Sequence, residues 1–310
     1  MSPPSPESTA AATAARRELT RIARARGDDI QRTLTRYAIE RLLYRISKSP
    51  HRNGFILKGA MLFSLWAELP YRTTGDLDLL AFGDPSPEEV ASIFRAIALQ
   101  LVEEDGVEFL PDTIRVETTR LEDEYAGASI RMTAMFAGAR LTVLIDLGYG
   151  DAVTPDAQEI EYPSLLDAPR PVLRAYPPET VVAEKFQALV DLGMINSRLK
   201  DFFDLWAVAD TFKFDGALLA TAIRATFDRR DTEVPVTLPV ALTAAFSDDP
   251  EKQQLWRAFL GRAGISIAPD SLGEVIVALA RFLMPVAAAA AADGAQFEQN
   301  WQPGGPWQAN

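Results

Sequence analysis

Between residues 115 and 150 the chain reads as three strands in succession. They are "IRVETTRLE", "ASIRMTAMF" and "RLTVLIDLGYG", broken by Gly127, Gly138 and Gly148. A run of strands in mid-chain demands a sheet, and helix-patterned segments on both sides mean that helices cover it. Upstream, "GFIL" and "DLDLLAF" read as further short strands, and "AMLFSLWAEL" as a helix leaving the turn at Gly59. "SPEEVASIFRAIALQL" has Ser86 as N-cap, Pro87 at the first helical position and acids in the first turn. From Arg16 to Ser47 the pattern is helical, with Leu19, Ile22, Ile30, Leu34, Tyr37, Ile39, Leu42, Leu43 and Ile46 as core candidates and Gly27 as a break.

Pro155, Pro163, Pro169, Pro171, Pro177 and Pro178 mark a linker, after which the chain turns mainly helical. Helices are predicted over "PPETVVAEKFQALVDLG", "SRLKDFFDLWAVADTF", "DGALLATAIRATFDRR", near 251–263 and near 271–292. The tail "NWQPGGPWQAN" reads as irregular. The expected organisation is a disordered segment over 1–13, an α/β domain over 14–165 that includes basic N-terminal helices, and a helical domain over 166–310.

Composition removes several chemistries. The 310 residues include no cysteine and one histidine, His51, in the polar stretch "SKSPHRNG". Thiol nucleophiles, disulfide frameworks and cysteine-ligated zinc are excluded, and a serine triad would have to use that loop histidine. Chemistry must run on carboxylates, lysines and a bound metal. The net charge of -12 suits a cytoplasmic protein whose surface is not a general nucleic-acid glove. The N-terminus lacks the apolar core of a signal peptide. The apolar window "VIVALARFLMPVAAAAAA" contains Arg281 and Pro285 and reads as a packed helix, so no membrane contact is expected.

The strand "DLDLLAF" carries Asp76 and Asp78 on one face and Leu77 and Leu79 on the other. Two neighbouring carboxylates repel unless a cation or a shared proton lies between them. One reading is an edge strand with a solvated face. The other is a magnesium site, with manganese as the alternative ion, built from hard oxygen donors. Three features bear on the choice. The "KGA" turn of Lys58, Gly59 and Ala60 precedes a helix whose first N–H groups suit phosphate. Asp146 interrupts the apolar run "TVLIDLGY" and would be a third ligand if that strand neighbours 76–82. The hydroxyls of Thr73 and Thr74 stand just ahead of the first aspartate.

The small-residue turn after a strand, the helix, the DxD and the later strand aspartate resemble the polymerase-β-like nucleotidyltransferases. More narrowly, "LKGAMLFSLW…RTTGDLDLL", "IDLGYGD", "YPPETVVAEKFQALVDLG" and "SRLKDFFDL", in that order, resemble the AbiEii/AbiGii-type nucleotidyltransferase toxins of type IV toxin–antitoxin systems. The likeness spans roughly Gly54 to Phe212, and "WQPGGPW" fits it too. Ala60 stands where the family has a second glycine or serine, keeping the backbone N–H but no hydroxyl.

The resemblance implies a mixed sheet with flanking helices, followed by a mainly helical C-terminal domain. It implies Asp76, Asp78 and Asp146 as metal ligands, with Lys58, Gly59, Ala60, Thr74 and Lys185 on the nucleotide. Lys185 shares a helix face with Val182, Phe186 and Leu189, so it either snorkels to a rim or aims at phosphates. The family's essential aspartate of the next motif maps to Asp201 first and Asp204 second, to orient Lys185 or to receive a proton. Lys200 and Asp204 are also spaced to pair across one helical turn.

The implied activity is transfer of a nucleotidyl group from a nucleoside triphosphate to a tRNA 3′ end, which blocks translation, with a cognate antitoxin as partner. In some relatives the antitoxin phosphorylates the hydroxyl at the position of Thr74, which would add negative charge beside the metal pair. Transfer of a nucleotide to a protein or small molecule, and a non-catalytic nucleotide-binding regulator, are the alternatives. Arg16 to Arg52 holds eleven Lys/Arg against four acids, either a solvated helical face or an RNA-binding one.

Overall fold

The computed structural model describes residues 6–66, 74–118, 127–263, 269–292 and 297–309. The chain divides into two compact units, Met1–Gly150 with Gln158–Ala175, and Asp151–Ala157 with Tyr176–Asn310.

In the first unit, α1 (Pro6–Arg26) begins inside the segment that composition reads as disordered. The alanine-rich run from Ala10 to Ala15 has high helix propensity, and Ala12, Leu19 and Ala23 are buried, so the helix has a face to pack. Gly27, at φ +71°, ends it. Asp29 then caps α2 (Ile30–Lys48), its side chain accepting the Arg32 N–H at 2.8 Å. Next come β1 (Phe55–Lys58), a 3₁₀ turn over Gly59–Leu62, and α3 (Phe63–Trp66). The remainder of the expected helix, together with Thr73, lies outside the described residues. The unit continues with β2 (Asp76–Ala81), α4 (Pro87–Ala98), β3 (Val107–Thr118), β4 (Gly127–Phe136) and β5 (Ala139–Tyr149), then β6 (Gln158–Glu161) and β7 (Val172–Ala175).

The sheet order is β3-β4-β5-β2-β1-β7-β6. β2 runs parallel to β5 and β1 parallel to β7, while the other neighbours are antiparallel, so the sheet is mixed as expected. Helices α2 and α4 pack against one face. Leu141, Val143, Ile145 and Leu147 of β5 point to a buried side, whereas Thr142 and Asp146 are exposed. The proline-rich linker thus contains two strands. Four-residue strands carry little pattern of their own, and β7 is defined by pairing with β1, with Leu57 opposite Ala175. This is why the first unit reaches past 165, while residues 151–157 belong to the second, where the Thr180 hydroxyl donates to the Thr154 carbonyl at 2.9 Å.

The basic N-terminal helices are not a uniformly solvated surface. Arg36, Arg41 and Arg45 are buried. Arg45 grips Asp105 through two bonds of 2.6 and 3.1 Å, and Arg41 donates to the Pro169 carbonyl at 2.9 Å. Glu40, also buried, accepts the Leu165 N–H at 2.9 Å and lies 3.6 Å from Arg36 Nε. Burial pushes its carboxyl up to about 7, against the pull of Arg36, the Leu165 N–H, Arg41 and Ser164. An unfolded glutamate titrates near 4.3, so the folded chain binds the extra proton between these values. Stability from this group is therefore complete below about pH 4.3 and is lost as pH rises through about 7. Glu40→Gln imitates the protonated form. Relative to the parent it gains about 2–3 kcal/mol between pH 5 and pH 8 in chemical denaturation. A constant difference across that range would contradict the assignment.

The second unit contains α5 (Pro178–Leu192), α6 (Leu199–Thr211), β8 (Phe214–Asp215), α7 (Gly216–Arg229), α8 (Ala244–Ser247), α9 (Pro250–Ala263), α10 (Leu272–Ala291), β9 (Gln299–Trp301) and β10 (Trp307–Ala309). By length and mean hydropathy, 1.8, α10 could cross a membrane. Here its stripe of Val275, Ile276, Leu279, Phe282, Leu283 and Val286 is buried, and the helix packs on α6 and α7. The tail is not irregular: β9 and β10 pair as a hairpin beside β8. Its two indoles anchor it, Trp301 donating to the Ala209 carbonyl at 2.6 Å and Trp307 to the Phe282 carbonyl at 2.9 Å.

Candidate active site

The parallel pairing of β2 and β5 sets the acidic site. Its register puts Asp78 beside Asp146 and Asp76 beside Leu144. Register partners and residues two apart share a face, so the three aspartates lie on one side of the sheet. That side is open, with Asp76 and Asp146 exposed and Asp78 half-buried. On β1, Lys58 is the register partner of Asp78. A cation thus flanks the carboxylates on one edge.

The side chains lean apart. Asp146 accepts a 2.5 Å hydrogen bond from the hydroxyl of Ser129, its register partner on β4. Asp78 leans the other way, against the turn that follows β1, its Oδ2 lying 2.0 Å from where a Cβ on Gly59 would be. Among the described residues, no three Asp, Glu or His side chains converge into a ready-made metal cage. The donor chemistry still fits a hard divalent ion, with three carboxylates on adjoining strands of one face.

Gly59 is at φ +71°, where a side chain is strained. Cβ, Cγ and Oδ2 of Asp78 occupy the space a Cβ would need, at 2.6, 2.5 and 2.0 Å. Glycine therefore serves two ends at once, turning the chain and letting a carboxylate rest on its backbone. Gly59→Ala is expected to cost about 2–4 kcal/mol in chemical denaturation, combining left-handed strain with overpacking. It also lowers nucleotidyl transfer at least tenfold by displacing Asp78. A variant as stable and active as the parent would show that the close approach is unimportant.

Thr74 braces the start of β2. Its Oγ accepts the Asp76 N–H at 3.4 Å, and its hydroxyl donates to the Asp76 carbonyl at 3.3 Å. Arg26, Arg32 and Arg36 line a crevice of about 10 Å³ with Thr74. Sequence reading found a basic segment but not that its arginines reach this threonine.

In the second unit, Lys185 lies neither at a solvent rim nor on an apolar patch alone. Its Nζ is 2.5 Å from Asp201 Oδ1 and 3.0 Å from Asp204 Oδ2. Both aspartates are 1% exposed, and Lys185 is 17% exposed. Asp204 therefore pairs across to α5 and not with Lys200 one turn away. The second oxygen of Asp201 is 3.0 Å from Arg198 Nε, a partner that sequence reading missed. Spacing held a signal for it, since Arg198 and Asp201 are three apart at a helix start. Lys185, Asp201 and Asp204 thus meet in one unit, and the aspartates of β2 and β5 meet with Lys58, Gly59 and Thr74 in the other.

Residues 41–275 match the family described as "Nucleotidyl transferase AbiEii toxin, Type IV TA system". No curated protein sequence matches significantly. Among solved structures, the fold is similar to the crystal structure of JHP933 from Helicobacter pylori, with TM-score 0.50 and 15% identity over 85% of this chain and 93% of that one. "Crystal structure of putative nucleotidyltransferase from H. pylori" describes another similar chain, with TM-score 0.49 and 15% identity over 85% of this chain and 96% of that one. At such identity the JHP933 structure speaks to fold alone. The family match covers both the strand aspartates and the Lys185 cluster, and the chain is a nucleotidyltransferase belonging to the AbiEii toxin family of type IV toxin–antitoxin systems.

Proposed function

We propose that this toxin transfers a nucleoside monophosphate from a nucleoside triphosphate to the 3′ end of tRNA in the cytoplasm, blocking translation. The observation that carries the reading is the register of β2 on β5, which gathers Asp76, Asp78 and Asp146 on one open face beside the Gly59 turn. Those three carboxylates would hold magnesium, or manganese in its place. When bound, such an ion neutralises triphosphate charge and makes the attacking hydroxyl more acidic.

The rest of the chemistry falls to the chain. Backbone N–H groups at Gly59 and Ala60, with Lys58 beside them, receive the triphosphate. Thr74 fixes the backbone that carries Asp76. The acceptor's hydroxyl oxygen forms a bond to the α-phosphorus as the bond to the bridging oxygen breaks. Pyrophosphate leaves with the electron pair, and the hydroxyl proton passes to Asp146, an exposed carboxylate held by Ser129. The family resemblance implies Lys185 as a nucleotide-binding cation. Asp201, 2.5 Å from Lys185 Nζ and 3.0 Å from Arg198 Nε, orients that ammonium. The family implies a cognate antitoxin that restrains the activity.

The test is incubation with each labelled triphosphate in turn, magnesium and total tRNA. Label on the RNA 3′ end is expected. Label on protein would replace the acceptor, and nucleotide binding without any transfer would overturn the reaction.

A further inference from the structure

The open face carries a second charged row next to the acids. Register aligns Arg115 on β3, Arg131 on β4, Leu144 on β5 and Asp76 on β2. Arg115 and Arg131 are direct partners in the antiparallel pair, and both are exposed. Like charges directly opposite one another are unfavourable in a sheet. Among the described residues neither guanidinium pairs with an acid. Arg131 makes no hydrogen bond or ion pair among the described residues. Arg115 donates only to carbonyls of its own strand, at Asp112 (3.1 Å) and Ile114 (2.8 Å). Glu117 shares the face but bonds neither. Two neighbouring guanidiniums with no ion-pair partner among the described residues can receive an anion, and their planar donor forks match phosphate oxygens.

Strand order says which phosphate. The Gly59 turn lies at the end of β1, on one flank of the β5–β2 acids, and the arginines lie on β4 and β3, on the other. A triphosphate cradled at the turn leaves the opposite flank to the second reactant. At the usual strand spacing Arg131 stands about 10 Å from Asp76 across the sheet, with half-buried Leu144 between them as an apolar floor for a base or sugar.

We propose that Arg115 and Arg131 hold a phosphodiester of the RNA acceptor strand and so position its 3′ end over the aspartates. They are positioning residues, and the proposal rests on the transferase reading of those aspartates. The test uses the full chain, a labelled single-stranded RNA oligonucleotide with a free 3′ hydroxyl, and anisotropy across a salt series, beside transfer kinetics. Arg115→Gln with Arg131→Gln is expected to weaken RNA binding about tenfold and to reduce the slope of log affinity against log salt by about 0.7, for the one single-strand phosphate the pair neutralises. It raises the KM for RNA and leaves the KM for the triphosphate unchanged. The double lysine variant keeps the salt slope. Parental RNA affinity and slope in the glutamine variant, or a rise confined to the triphosphate KM, overturns the proposal. If the parent chain transfers no nucleotide while the glutamine variant still loses RNA binding, the transferase reading falls and the arginine site stands.

Discussion

Asp76→Asn lowers nucleotidyl transfer about a thousandfold and leaves the melting temperature of the metal-free protein unchanged or slightly raised. The first half follows from charge. A carboxylate that helps hold a divalent ion contributes several kcal/mol to neutralising the transferred phosphate, and each 1.36 kcal/mol is a factor of ten. The second half follows from the site itself. Asp76 is exposed and its carboxylate makes no hydrogen bond or ion pair among the described residues, so folding loses nothing when it is neutralised. Removing one of three like charges from a single sheet face relieves repulsion. Magnesium should raise the melting temperature of the parent and raise it less in the variant, because binding to the folded state alone stabilises it. A variant that labels RNA as fast as the parent would remove the carboxylates from the mechanism.

Lys185→Met acts on stability and activity together. It removes the ammonium that lies 2.5 Å from Asp201 and 3.0 Å from Asp204, each 1% exposed, and leaves Asp201 facing Arg198, whose side chain is 54% exposed. Breaking a buried pair by deleting one partner costs about 3–5 kcal/mol. For a unit of this size that lowers the melting temperature on the order of 10 °C. Adding Asp201→Asn and Asp204→Asn removes the two carboxylate charges, and the triple variant recovers most of the loss in denaturation experiments. Transfer activity does not return with it. A triple variant as active as the parent would reduce the cluster to a structural one, and a single variant as stable as the parent would mean that the charges were never buried together.

Much of the sheet could be read in advance, because β5 alternates from Arg140 to Leu147 and β2 from Asp76 to Leu79, and burial on one face enforces that period. The adjacency of the two strands is a different matter. They are separated by 57 residues, and nothing local in either says that Asp78 will stand beside Asp146. The same limit explains the charged residues. Spacing offered Lys200 as the neighbour of Asp204, but the helix packs so that Lys185, on another helix, wins. Counting charges over Arg16 to Arg52 cannot separate solvated arginines from Arg41 and Arg45, which tertiary structure buries against carbonyls and Asp105. Short strands were lost for a related reason, since β6, β7 and the tail hairpin exist through partners elsewhere in the chain.

The excursion of residues 151–157 out of the first unit, and the return of 158–175 to it, has a practical edge. A fragment ended at Gly150 would lack β6 and β7 and leave β1 unpaired along one side. That bare row of N–H and C=O groups is a template for a neighbouring molecule, so such a fragment would self-associate where one carried through Ala175 would not.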